Sequence, residues 1–186
     1  MGLDLTAYSN VKTLPIDHDR PESELDETWI RAFAYNGFHR STRGLADHDV
    51  PTRPTGWAGT LIAARDYDIT GSSAHDWHGG GYAGYGMRRA VLATFAGIPQ
   101  APSVITDAWI AEHQDRPFFE LVWFADNEGA IGHEAAADLL TDFTEHRDAL
   151  LPLASHFEHG RSWEQWLDDW ITGLTLAADN GLVKFW

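Results

Sequence analysis

The sequence predicts an α+β fold in a single globular domain, residues 1–186, in which helices predominate and a small antiparallel sheet pairs the N- and C-terminal strands. The chain has 186 residues, of which 44% are hydrophobic and 12% aromatic, and this is enough to bury one continuous core. Strand patterns occur at both ends, and apolar residues recur at helical spacing in the second half. These observations together indicate helices packed on a sheet.

The strand predictions concern the two ends of the chain. Residues 2–8 alternate apolar and polar side chains, which places Leu3 and Leu5 on one face of a half-buried strand. Residues 181–186 follow an Asn-Gly helix stop and contain Val183 and Phe185, which favour strands. We predict that these two segments pair in one sheet.

The segment between the first strand and residue 60 has weaker patterns. Residues 12–27 are polar and acidic, which predicts an exposed loop, and residues 29–33 are expected to form a short ordered segment. Residues 40–60 contain proline, glycine and scattered charges, which indicates a second loop. A loop of that length in a compact domain is often functional or disordered.

Helices are predicted over residues 85–96, 103–113, 117–124, 132–151 and 162–178. The first ends at Gly97, and the last two carry apolar stripes that include Phe143 and Trp170. Residues 117–124 also alternate as a strand would, but a proline at the first turn favours a helix.

The charge of the chain limits its partners. Thirteen basic residues against 28 acidic ones give a net charge of −15, and a chain this acidic repels a phosphate backbone, so no duplex nucleic acid is expected as a partner. Residues 107–186 carry most of the negative charge, so an anion site is expected in the first part. No apolar run is long enough to span a membrane, and we expect a cytoplasmic protein with no membrane partner.

A glycine- and tyrosine-rich stretch that leads into a predicted helix is the first candidate site. Its candidate ligand-binding residues are Gly80, Gly81, Tyr82, Gly84, Tyr85, Arg88 and Arg89. Amides at a helix start, glycines that admit a ligand and guanidinium donors suit a phosphate or carboxylate group, and a tyrosine can stack on a base. The alternative is a tight turn in which the glycines adopt positive φ and the tyrosines are structural.

A second candidate is the acidic turn that contains Asp126 and Glu128. These carboxylates can accept hydrogen bonds from ligand hydroxyl groups or bases, or hold a divalent cation. The alternative is that they shape the turn before the next helix. The ten histidines have no spacing that selects a metal site, so we expect no metal or cofactor.

Four segments of the chain resemble an uncharacterised protein family of bacteria and their phages. They are residues 1–8, residues 80–85 running into Arg88, residues 117–132 and residues 177–185. The family has Gly-Ser-Tyr-Ser-Gly-Tyr at the first turn and Phe-Ser-Asp-Cys-Glu-Gly at the second. Ala83 and Asn127 stand here in place of the second serine and the cysteine. The resemblance implies a phage or prophage setting and no particular activity.

The leading functional hypothesis is a phage-type accessory protein that binds a small, nucleotide-like anionic ligand, for example to sequester a host defence signal in the host cytoplasm. One alternative is a metal-dependent hydrolase that uses the same pocket with Asp126, Glu128 and either His78 or His133. The other is an acidic module that engages a basic host or virion protein. The sequence leaves open whether the protein is an enzyme.

Overall fold

The computed structural model describes residues 2–14, 28–35, 53–54, 60–99, 107–123, 129–156 and 160–186. The strands are β1 (Gly2–Tyr8), β2 (Lys12–Leu14), β3 (Trp29–Tyr35), β4 (Arg53–Pro54), β5 (Thr60–Asp68), β6 (Ala74–Gly81), β7 (Gly129–Gly132) and β8 (Leu182–Phe185). The helices are α1 (Tyr82–Ala96), α2 (Asp107–His113), α3 (Phe119–Trp123), α4 (His133–Leu150) and α5 (Gly160–Ala177), and a 3₁₀ helix (Leu151–His156) follows α4.

Sheet A contains both ends of the chain and confirms the predicted α+β fold. Its strand order is β6-β1-β8-β7, and all neighbouring strands are antiparallel. Leu5 pairs with Phe185 and Ala7 with Val183, so the C-terminal strand lies directly beside the N-terminal one. Because β8 also pairs with β7, it is an interior strand of the sheet.

Sheet B was not predicted. It has the order β2-β5-β3, and β4 pairs with β5. The polar-loop prediction is therefore wrong for residues 12–14, and the second loop prediction is wrong for residues 53–54 and 60. The rest of those two loops lies outside the described residues. Lys12 pairs with Asp68, a partner far along the chain, and a short polar strand of this kind has no local pattern that reveals it.

The main core lies between sheet A and α5. Four inward side chains of the sheet are at most 2% exposed: Leu3, Leu5, Val183 and Phe185. Helix α5 contributes Trp163, Trp166, Trp170 and Leu174 to the same cluster. The Trp77 ring of β6 packs against this helix at Gly173, where an added Cβ would come within 2.6 Å of the ring.

The other face of sheet A packs against sheet B. Tyr8, Ala130 and Leu182 of sheet A form a second apolar cluster with Ile30, Ala32 and Tyr67 of sheet B. A cross-strand ion pair stabilises sheet B. Arg31 donates hydrogen bonds from Nε and Nη2 to the two carboxylate oxygens of Asp66, at 2.7 and 3.0 Å, and the Asp66 side chain is fully buried. Sheet A is thus covered by α5 on one side and by sheet B on the other.

The described helices begin and end within two residues of the predicted ones, except at the start of α1; residues 103–106 of the predicted second helix lie outside the described residues. Helices α4 and α5 begin and end within two residues of the predictions, and residues 119–123 are helical, as favoured. Helix α1 ends as expected at Gly97, which has a φ of 67°, but it begins at Tyr82 instead of Tyr85. No helix in the described ranges is both long and apolar enough to cross a membrane.

Phe185 and Trp186 test the importance of the interior strand. Phe185 is 2% exposed and contacts Tyr85 and Trp170, whereas Trp186 is 50% exposed. Phe185→Ala should lower the free energy of unfolding by about 3–5 kcal/mol, because it leaves a cavity in the core. Trp186→Ala should lower the free energy of unfolding by clearly less than Phe185→Ala does. Urea denaturation of both variants measures the difference, and equal losses would contradict the assignment of β8 to the interior of the sheet.

Candidate functional site

The connection between β6 and α1 is shaped by glycines. Leu3 pairs with Gly80 and Asp4 with His78, so Gly79 is the extra residue of a bulge in β6. A Cβ at Gly79 would lie 2.6 Å from the Leu5 side chain, and Gly80 has a φ of 106°, which favours glycine. Gly79 and Gly80 are therefore required by the backbone conformation and close packing, in agreement with the alternative that the glycines shape a tight turn.

Arg88 folds back onto this connection. Its Nη1 donates a hydrogen bond to the carbonyl oxygen of Gly79 at 3.1 Å, and a Cβ on Gly80 would collide with the same nitrogen. The guanidinium carbon also lies 5.7 Å from the centre of the Trp166 ring. Burial lowers the pKa of Arg88, but an arginine remains charged at neutral pH. The structure thus places a half-buried positive charge beside the start of α1.

Tyr85 and Arg89 make packing contacts that position the start of α1. Tyr85 is 3% exposed and packs edge-on against Phe185, and burial raises the pKa of its hydroxyl group. The guanidinium carbon of Arg89 lies 5.3 Å from the centre of the Tyr85 ring, the stacking expected from their spacing of four residues. Because Tyr85 is in the core, Tyr82, which is 47% exposed, is the better placed tyrosine for contact with a ligand.

The first turn of α1 presents backbone amides. Gly81 at its N-cap is extended, no side chain of a described residue caps the helix, and the first turn contains no acidic residue. The predicted helix start at residue 85 would place Arg88 and Arg89 in the first turn, and this is wrong, because α1 begins at Tyr82 and both arginines lie in its second turn. Side chains on a helix lean towards its N-terminus, and this is how Arg88 still reaches the first turn.

The two predicted turns are related by sheet A. Asp126 and Glu128 lie outside the described residues, so their contacts stay a prediction. Gly129, the first residue of β7, pairs with Phe185, which in turn pairs with Leu5. That register places Gly129 towards the end of sheet A at which α1 begins. The two turns are nevertheless separated across the sheet, because β6 and β7 are its two edge strands.

The histidines named for the hydrolase alternative are far apart. The Nδ1 atom of His78 lies 2.9 Å from a carboxylate oxygen of Asp4, and both side chains are exposed. His133 opens α4 next to Gly132, which pairs with Leu182 towards the other end of sheet A. Within the described ranges, no group of three histidine or carboxylate side chains is arranged to hold a metal ion.

An acidic hollow was missed by the sequence analysis. It is a cavity of about 540 Å³ between α4 and the turn that joins α2 to α3. Its titratable lining residues are Asp115, Arg116, Glu120, Asp138, Asp142, Glu145 and His146. The spacing of Asp138, Asp142 and Glu145 marks one face of α4 in the sequence. The approach of α3 to that face is a tertiary contact that the spacing does not reveal.

Asp142 is a carboxyl group of the hollow with a raised pKa. Burial raises its pKa to about 6, and the nearby carboxylates of Glu120 and Asp138 act in the same direction. The Phe118 amide, which donates a hydrogen bond to Asp142 Oδ2 at 2.7 Å, and His146 act in the opposite direction. The hollow therefore concentrates negative charge that is incompletely hydrated.

Comparisons with protein-family models, curated proteins and solved structures found no match to this chain. The resemblance to a bacterial and phage family therefore stays a prediction.

Gly80 and Gly86 form a matched pair of glycines. Gly80→Ala should destabilise the protein by about 1–3 kcal/mol, because its φ of 106° is strained for alanine and because Arg88 must move. Gly86→Ala should stabilise it by about 0.5–1 kcal/mol, since Gly86 lies inside α1 with open space around an added Cβ. Thermal unfolding shows whether each variant is more or less stable than the unaltered protein. A Gly80→Ala protein as stable as the unaltered one would refute this packing of Arg88.

Proposed function

We propose that the protein binds a small anionic ligand, with a phosphate or carboxylate group, at the start of α1. The observation that carries the proposal is the Arg88 guanidinium, held beside first-turn amides that no described side chain caps. Helix amides and a guanidinium are both donors to oxyanions, and the helix dipole adds favourable charge at the same point.

The geometry of Arg88 suits a fixed anion contact. Its hydrogen bond to Gly79 and its position over Trp166 restrict the side chain before any ligand arrives, which lowers the entropic cost of binding. A guanidinium carries its N–H donors in a planar fork, a geometry that matches the oxygens of a phosphate or carboxylate group.

The charge of the whole chain limits the size of the ligand. With a net charge of −15, the protein repels extended polyanions beyond the local positive region at α1. A compact anion of one or two charges experiences mainly the nearby donors, because more distant charges are screened by salt. This favours a metabolite or a mononucleotide over a nucleic acid.

A nucleotide-like ligand is the form that we favour. Tyr82 is the first residue of α1 and its side chain is 47% exposed, so its ring is placed to stack on a base whose phosphate occupies the helix start. In a phage setting, sequestration of a host defence nucleotide in the host cytoplasm is the corresponding role. The proposal is one of binding and requires no chemical step.

Arg88 and Arg89 provide the test of this function. Arg88→Ala should weaken binding of inorganic phosphate or AMP about ten- to hundredfold, because a charge-assisted bond is lost. Arg89→Ala, which removes the neighbouring charge from the Tyr85 ring, should change affinity far less. Isothermal titration calorimetry measures both, with thermal unfolding to verify that each variant is folded. Undiminished affinity in the folded Arg88→Ala protein would remove the anion site.

The acidic hollow favours a second candidate function, the binding of a basic host or virion protein. Its carboxylates line a cavity of about 540 Å³, large enough to accept lysine or arginine side chains. This face belongs to the part of the chain, residues 107–186, that carries most of the negative charge.

A defined basic peptide distinguishes the hollow from general charge attraction. Glu145→Gln removes one charge from the hollow, and Asp148→Asn removes one from an exposed position later in the same helix. Fluorescence titration with an octalysine peptide should show a clearly larger loss of affinity for Glu145→Gln. Equal losses would show that the peptide responds to net charge and would reject the hollow as a docking site.

A further inference from the structure

The corner between α2 and α3, residues 114–118, ends in an unusual residue. Phe118 is fully buried and has a φ of 62°, which is uncommon for a residue other than glycine. Its ring packs 5.0 Å from the centre of the Phe143 ring of α4, and its carbonyl oxygen accepts the bond from Val122 that begins α3. The position of Phe118 therefore fixes where α3 lies against α4.

One carboxyl group holds the backbone of this corner to α4. The Phe118 amide donates to Asp142 Oδ2 at 2.7 Å, a short bond from a buried donor. A buried amide that loses its acceptor is costly, so the Asp142 side chain is needed there as an acceptor. An asparagine would supply the acceptor without a charge.

The charges that face Asp142 come from three elements. Helix α4 contributes Asp138, Glu145 and His146, α3 contributes Glu120, and the corner contributes Asp115 and Arg116. Acidic groups outnumber basic ones in this set, and Glu120 is itself only 4% exposed. Ionisation of Asp142 therefore adds a negative charge where negative charge is already concentrated.

We propose that Asp142 is a pH-sensitive latch: the neutral carboxyl group closes the α2–α3 corner against α4, and ionisation loosens it. The neutral group still accepts from the Phe118 amide through its carbonyl oxygen, without repulsion from Glu120 and Asp138. The ionised group keeps the amide bond but is repelled by those carboxylates and favours entry of water into the hollow. The closed corner thus holds the proton more tightly than an open corner does.

The direction of the pH dependence follows from this difference. In the closed corner the pKa of Asp142 is raised to about 6, whereas in an open, hydrated corner it returns towards 3.8. A carboxyl group whose pKa is higher in the closed corner favours closure when it is protonated. This stabilisation is fully present below pH 3.8 and is lost as the pH rises through about 6. The corner therefore opens more readily at neutral pH than at about pH 5.

Hydrogen exchange at the Phe118 amide measures the latch. After correction for intrinsic exchange, the opening equilibrium should be several-fold and at most about tenfold larger at about pH 7.5 than at about pH 5. The dependence should disappear in Asp142→Asn, which keeps the acceptor, and persist in Asp148→Asn, which removes an exposed charge of α4 that does not line the hollow. Opening that is independent of pH in the unaltered protein, or a dependence that survives in Asp142→Asn, overturns the proposal.

A second measurement needs no variant. The ¹³C resonance of the Asp142 carboxyl group in the unaltered protein should titrate with a midpoint near 6. A midpoint near the ordinary value of 3.8 would show that the closed corner does not hold the proton, and this would overturn the latch even if Asp142→Asn fails to fold.

Discussion

Pairing between β1 and β8 is the constraint on which the rest of the structure depends. Because Leu5 lies opposite Phe185, the first and last strands of the chain must meet before sheet A is complete. Strand β8 connects β1 to β7, and α5, which leads into β8, packs on β1 and β6. Contacts between such distant segments are made at a high cost in loop entropy, so the buried aromatic core has to offset that cost.

The aromatic core also supports the proposed anion site. The ring of Trp77 packs edge-on against Trp170, Trp170 packs edge-on against Trp166, and the Arg88 guanidinium lies over Trp166. A continuous series of contacts therefore joins β6, α5 and the start of α1. The position of the charge at α1 is in this way set by packing that the two chain ends complete.

Local patterns account for what the sequence predicted correctly. The alternation in residues 2–8 and the apolar stripes of α4 and α5 depend on near neighbours in the chain, and these elements were found where expected. Strand β6 was missed because its glycines are poor strand formers, and sheet B was missed because its pairings are remote. Tertiary contacts had the larger effect on the candidate sites.

The two sites show this limit clearly. The glycine-rich sequence ahead of a helix predicted a candidate site at the start of α1, but the bond from Arg88 to Gly79 depends on a bulge in β6 that the pattern does not encode. The acidic hollow likewise exists because α3 lies against α4. Asp126 and Glu128 lie outside the described residues and stay predictions.

¹H–¹⁵N NMR of the unaltered protein, during titration with inorganic phosphate and AMP, would show whether an anion binds at the start of α1. We expect saturable shifts concentrated at the amides of residues 82–85 and at the side-chain Nε–H of Arg88, with smaller shifts at high salt. Tyr82 ring signals should move with AMP and not with phosphate. An absence of saturable shifts at α1, or shifts concentrated elsewhere in the chain, would contradict the account.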